Sequence, residues 1–128
     1  MFLTTPKTVN GEGWYADSGA SSHVANDVGN LNQKQEYNGT KSLVVSNGEK
    51  LNIYHIGHAY LPALNNTNLL LKDILHVPSI EKNLISISQL TSYNDINVIF
   101  YSFGYVVKDK VTGQVLLQGR LKEGIYQF

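Results

Sequence analysis

The sequence predicts a mostly β fold carrying one short helix. Three observations support this. Short apolar runs rich in Leu, Ile and Val recur along the chain, glycine, asparagine and proline punctuate them, and only the stretch after Asn83 spaces its apolar residues in a helical manner. The 128 residues suffice for one domain and are too few for two ordinary ones, since domains commonly run to about 100–200 residues. No repeat of fixed period appears, which removes solenoids and propellers.

From Thr4 to Gly13 the residues are polar and interrupted by Pro6, Gly11 and Gly13, so they have little apolar surface to bury and a flexible tail is expected over residues 1–13. Trp14, Tyr15 and Ala16 read as a short apolar strand running into the small-residue turn Asp17-Ser18-Gly19-Ala20. The runs Ser42 to Val45 and Leu51 to Tyr54 flank Ser46-Asn47-Gly48-Glu49-Lys50. Because Asn-Gly reaches positive φ at little cost, that pentapeptide is expected to form a hairpin tip. His55 to Leu64 continues as a strand with Gly57 as a bulge, and Asn65-Asn66-Thr67 turns the chain. Asn68 to Val77 reads as a buried strand that stops at Pro78, since proline donates no ladder hydrogen bond. After a loop from Ser79 to Lys82, Asn83 is placed to cap a helix bearing Leu84, Ile85, Ile87 and Leu90. Further strands are expected over Asn97 to Tyr101, Gly104 to Lys108, Gln114 to Gln118 and Gly124 to Phe128. The elements divide into a core at 14–92 and a C-terminal β extension at 93–128.

Composition removes several kinds of function. Ten basic residues balance ten acidic ones, so no basic excess exists to neutralise phosphates or dock on an anionic membrane, and direct nucleic-acid binding is not expected. Cysteine is absent, which excludes disulfides, thiolate catalysis and cysteine-ligated zinc. No apolar run approaches the roughly 20 residues that a membrane helix needs. No charged-then-apolar leader precedes the first motif, and the polar residues after Met1 are expected to belong to a longer chain. His55 and His58 would point to opposite faces of a regular strand, so no shared metal is expected there. His23 and His76 are read as structural or hydrogen-bonding residues. Asn38-Gly39-Thr40 and Asn65-Asn66-Thr67 are read as turns rather than glycosylation sites, and the eight tyrosines as packing residues rather than base-stacking ones.

Asp17-Ser18-Gly19 is the segment with chemical potential. Taken alone, such a tripeptide fits an Asx-type turn in which the carboxylate accepts from nearby amides. Its surroundings favour chemistry: an apolar strand before it, a glycine-tipped hairpin after it, a Leu/Ile strand and then an apolar helix resemble, in order, the parts of a single-lobe aspartic protease. Peptide hydrolysis by carboxylates needs one group to take a proton from water while another donates one to the substrate. Two carboxylates about 3 Å apart cannot both ionise, so they share a proton and divide those roles. The chain has one such tripeptide, and the nearest imitation, Asp109-Lys110-Val111-Thr112-Gly113, has the wrong spacing. A second Asp17, from an identical chain across a two-fold axis, is therefore required.

Three stretches resemble the retropepsin family, and within it the copia-type retrotransposon branch, with plant members the most similar. They are Trp14-Tyr15-Ala16-Asp17-Ser18-Gly19-Ala20-Ser21-Ser22-His23, the run from Asp73-Ile74-Leu75-His76-Val77-Pro78 through Asn83-Leu84-Ile85-Ser86-Ile87-Ser88-Gln89-Leu90, and Gly124-Ile125-Tyr126. The last resembles the junction that precedes the integrase in such polyproteins. The resemblance implies a single-lobe closed β-barrel with a flap hairpin and one short C-terminal helix, followed by extra C-terminal β-hairpins. It implies an aspartic endopeptidase that processes its own Gag-Pol polyprotein as a homodimer in cytoplasmic virus-like particles, with no cofactor and no metal. Asp17 would be catalytic, Ser18 would bond across the two loops, Gly19 would allow close backbone approach and Ala20 would keep the floor small. Ser46, Asn47, Gly48, Glu49 and Lys50 would form the flap over an extended peptide substrate. Ser86 stands where retropepsins usually carry glycine, the flap is more polar than in retroviral relatives, and no clear counterpart of their dimer-forming C-terminal strand follows Leu90. The competing reading is a retropepsin-like binding or dimerisation module without catalysis.

Overall fold

A computed structural model describes residues 13–45 and 47–128. Apart from Gly13, the expected N-terminal tail lies outside them, as does Ser46 of the expected hairpin tip. Among the described residues the fold is mostly β, with one six-residue α-helix and one 3-10 turn at Val28–Asn30.

The first strands are β1 (Trp14–Asp17), β2 (Val24–Ala25), β3 (Asn32–Glu36), β4 (Leu43–Val44) and β5 (Lys50–Leu51), followed by β6 (His55–Pro62), β7 (Asn68–His76) and β8 (Asn83–Ser86). Six of them form one sheet in the order β1-β8-β2-β7-β6-β3. The central pairing is β6 with β7, which meet at a Leu64-Asn65-Asn66-Thr67 turn. Asn65 and Asn66 both take positive φ, 61° and 57°, the backbone that matches a two-residue turn to the twist of its strands. The register shifts between Gly57 and Ala59, where the expected bulge lies. A side chain at Gly57 would press on the Asn32 carbonyl oxygen at 3.0 Å, so glycine lets β3 approach β6.

Helix α1 runs over Ile87–Ser92 with Ser86 as its N-cap, accepting from the Gln89 amide. The expected cap, Asn83, instead opens strand β8, and its side-chain oxygen accepts from the Asn26 amide at 2.8 Å. Pairing decides this segment over local helical spacing. β1 and β2 run antiparallel with a gap one strand wide between them, and β8 fills it, parallel to β1 and antiparallel to β2. An extended segment there satisfies backbone groups on both neighbours at once. β2 and β3 had no counterpart among the expected elements: β2 has only two residues, and β3 (Asn32–Glu36) is a polar edge strand held by its ladder to β6.

The C-terminal strands β9 (Ile96–Phe100), β10 (Gly104–Asp109), β11 (Val115–Lys122) and β12 (Ile125–Tyr126) form an antiparallel sheet in the order β12-β11-β10-β9. It shares one buried cluster with the first sheet: Trp14, Leu61, Leu71, Ile85 and Leu90 pack with Tyr105, Val107, Leu116 and Phe128. The Phe128 ring stacks on Tyr105 with centroids 4.0 Å apart, a contact that adds about 0.5–1.5 kcal/mol to the burial itself. The Phe128 amide donates to the Trp14 carbonyl at 2.9 Å and Gln127 bridges Tyr15, so the outer edge of β1 is covered by the end of the same chain. Asn94 ties the sheets further, accepting from the Leu70 amide and donating to the Leu70 and Leu90 carbonyls, all at 2.9 Å.

Candidate functional site

Asp17 is the last residue of β1, and its ladder partner is Ser86, the last residue of β8. Ladder partners face the same side of a sheet and neighbours along a strand alternate. Trp14, Ala16 and Ile85 therefore face the main core, while Tyr15, Asp17, Leu84 and Val24 face the opposite side. On that side lies a second cluster, in which Val24, Leu84 and Val77 meet Leu43, Val45 and Leu51 of the β4–β5 hairpin. The hairpin is thus seated on the sheet face to which Asp17 belongs.

The Asp17 carboxylate accepts from the Gly19 amide at 2.9 Å, and the Ala20 amide donates to the Asp17 carbonyl at 3.3 Å. This is the Asx-type turn that the tripeptide by itself allows. Asp17 and Ala20 are half-buried, and Ser18 and Gly19 are exposed. A β-carbon at Gly19 would sit 3.4 Å from the Asp17 carboxylate, which is close contact. The loop thus presents one carboxylate among small residues, with nothing larger beside it in the sequence.

Ser86 holds the loop in place. It is completely buried, its hydroxyl donates to the Ala20 carbonyl at 2.7 Å, and the same oxygen accepts from the Gln89 amide at 3.3 Å. The Ser86 amide donates to His23 Nδ1 at 2.9 Å. His23 is buried too, its carbonyl accepts from the Leu75 amide, and its Nε2 has no partner among the described residues. Burial alone pushes the His23 imidazole down to about 4. Glycine in place of Ser86 would offer neither the bond to Ala20 nor the helix cap. The departure from the usual retropepsin residue therefore serves to fasten the loop. His23 and Ser86 were not among the expected site residues. The signals that could have pointed to them were the glycine-to-serine departure itself and a histidine immediately after a run of small residues, Ser18 to Ser22.

At the expected hairpin tip, the Gly48 amide donates to the Val45 carbonyl at 2.8 Å, the Val45 amide to the Glu49 carbonyl at 3.0 Å, and the Glu49 amide to the Asn47 side chain at 2.8 Å. Gly48 takes φ 86°, which only glycine adopts freely. Asn47, Gly48, Glu49 and Lys50 are all exposed. The paired strands are shorter than the sequence suggests, since Asn52, Ile53 and Tyr54 lie outside β5. Asp109, the nearest imitation of a second motif, caps the β10–β11 turn. Amide donation from Thr112 and then Val111 holds its carboxyl below the usual range, and it takes no part in the Asp17 site. His55 meets His76 with Nδ1 atoms 2.9 Å apart, whereas His58 packs edge-on against Tyr60. Burial first, and then the neighbouring His55, lower the His76 imidazole.

Two outcomes follow from this arrangement. Ser86→Ala should cost about 1–2 kcal/mol, because it leaves the Ala20 carbonyl unpaired and the helix uncapped; urea unfolding against the parent protein measures it. For His23 and His76 the folded protein binds its proton less readily than the unfolded chain, so the unfolded state is favoured as pH falls below the ordinary value of 6.5. Their contribution is complete above that value and is lost on acidification. His23 alone should remove up to about 3 kcal/mol by its folded value near 4, and urea midpoints between neutral pH and that value should fall accordingly.

The family described as Pol polyprotein, beta-barrel domain matches residues 14–94, more than half of the chain. The retrovirus-related Pol polyprotein from transposon RE2 of Arabidopsis thaliana is 39% identical over 126 residues, covering 98% of this chain and 9% of its own length. The corresponding polyprotein from transposon RE1 of the same plant is 38% identical over 128 residues, covering 100% of this chain and 8% of its own. The chain thus spans less than a tenth of the length of these relatives. No solved structure matches it. With the Asp17 loop, the β4–β5 hairpin and helix α1 all inside the matched residues, the chain belongs to the Pol polyprotein beta-barrel domain family.

Proposed function

We propose that this domain is the aspartic endopeptidase of a retrotransposon Gag-Pol polyprotein, active as a homodimer in which each chain contributes Asp17. The observation that carries the reading is the placement of the half-buried Asp17 at a strand end, in an exposed small-residue loop, with the β4–β5 hairpin seated on the same sheet face. In the dimer one Asp17 carboxylate accepts a proton from water while its protonated mate donates to the scissile carbonyl. Exposed Ser18 and Gly19 would then be covered by the second loop, with the Ser18 hydroxyl bonding across it. The hairpin from Ser46 to Lys50 acts as the flap, closing over an extended peptide that adds to the sheet through main-chain bonds. The six-stranded sheet with its hairpin is then the single lobe of a retropepsin-like barrel, and processing takes place in cytoplasmic particles that hold the polyprotein. No metal or cofactor enters this mechanism.

A second reading, a dimerisation or binding module without catalysis, has two observations in its favour. The Asp17 carboxylate is already engaged by the Gly19 amide within one chain, and the outer edge of β1 is covered by Gln127 and Phe128. Cleavage separates the two readings. The purified domain should cut a peptide spanning a junction of its own polyprotein, at a rate that rises with the square of enzyme concentration while monomers dominate, and Asp17→Asn should reduce it to background. Equal cleavage by that variant would exclude the proteolytic assignment.

A further inference from the structure

The bond between His23 and Ser86 has a fixed direction. An amide can only donate, so His23 Nδ1 must present a lone pair to the Ser86 N–H, and the ring proton must sit on Nε2. That tautomer leaves Nε2 completely buried without a partner among the described residues, a costly arrangement that a buried apolar side chain would avoid. The arrangement secures a continuous clamp: His23 holds the Ser86 amide, Ser86 Oγ holds the Ala20 carbonyl, and Ala20 closes the turn that begins at Asp17.

We propose that His23 is the positioning residue of the Asp17 loop and that its clamp is a proton-sensitive catch, closed while Nδ1 is bare and opened when Nδ1 takes up a proton. A protonated Nδ1 becomes a donor facing the Ser86 donor, so the bond turns into a repulsion and the Ser86 hydroxyl is no longer held under Ala20. The proposal deepens the proteolytic reading and rests on it for its consequence, an acid limit to activity set outside the reacting carboxylates.

The surroundings of His23 carry few charges that could open the catch earlier. β8 and α1 hold no titratable side chain, β1 holds Tyr15 and Asp17, β7 holds Lys72, Asp73 and His76, and the hairpin holds Glu49 and Lys50. None of these contributes to the downward displacement of His23 to about 4, which burial alone produces. The catch therefore stays closed through neutral and mildly acidic conditions.

The test follows the Ser86 amide and the His23 ring nitrogens by 15N NMR during acid titration of the parent protein and of Asp17→Asn. The expected result is an Nε2-protonated ring at neutral pH and loss of Ser86 amide protection in step with Nδ1 protonation near pH 4, identical in both proteins because the catch does not need activity. His23→Asn supplies a second arm, since its side-chain oxygen can accept in the place of Nδ1 yet does not titrate. Ser86 protection, and the acid limb of peptide cleavage relative to each protein's own plateau, should move to lower pH in that variant. A ring protonated on Nδ1 at neutral pH, or Ser86 protection that does not follow His23 titration, would overturn the proposal. So would an acid limb unmoved in a folded His23→Asn protein. Should the amide behave as expected while no protein cleaves peptide, the catch stands and the proteolytic reading falls. Should His23→Asn not fold, the titration of the parent protein decides alone.

Discussion

The threading of β8 between β1 and β2 is the constraint on which the rest of the structure depends. Without that strand, the two ends of the Asp17 loop would stand apart with unpaired backbone groups, and buried unpaired amides and carbonyls each cost about 1–3 kcal/mol. Inserting it satisfies both flanking strands, sets Ser86 directly beside Asp17, and delivers the chain into helix α1 at the point where a cap is needed. One residue thus ends a strand, starts a helix and fastens a loop. The segment is short because each of those tasks occupies only one or two residues.

Two faces of the same sheet then do different work. The side lined by Trp14, Ala16 and Ile85 is joined to the C-terminal sheet through Tyr105, Val107 and Phe128 in one continuous core. The other side carries Asp17 and a small cluster under the β4–β5 hairpin. The smaller cluster has only three buried members, which leaves the hairpin tip exposed and lightly held. A lightly held hairpin on the same sheet face as an anchored loop is what the proposed flap role would require.

Much of this was legible in the sequence where local chemistry decides the structure. Asn65-Asn66 and Asn47-Gly48 marked their hairpins because few other residues accept positive φ, and the Leu-rich run before Pro78 marked β7. Gly57 marked its bulge for a different reason, since a side chain there would press on the backbone of β3. Legibility failed where pairing partners lie far apart in the chain. Asn83 looks like a helix cap and Leu84 and Ile85 look helical, yet the vacancy between β1 and β2 claims them as strand. β3 is polar throughout and carries no apolar alternation to announce it; only its ladder with β6 makes it a strand. At the site, the Asp17 turn was readable from its own three residues, whereas the support from His23 and Ser86 depends on contacts across 63 positions of sequence.

The central claim is that two copies of the Asp17 loop face each other across a symmetry axis, and the absence of cysteine from the chain offers a direct probe of it. A single cysteine introduced as Ser18→Cys should form an interchain disulfide quickly under mild oxidation, because that bond requires the two backbones to lie within about 7 Å. A cysteine at a strongly exposed position away from the Asp17 loop, Val111→Cys, provides the rate expected from random encounter. Cross-linking at position 18 well above that reference is the predicted result. Equal rates at the two positions, with the domain at concentrations where it cleaves peptide, would contradict the paired arrangement.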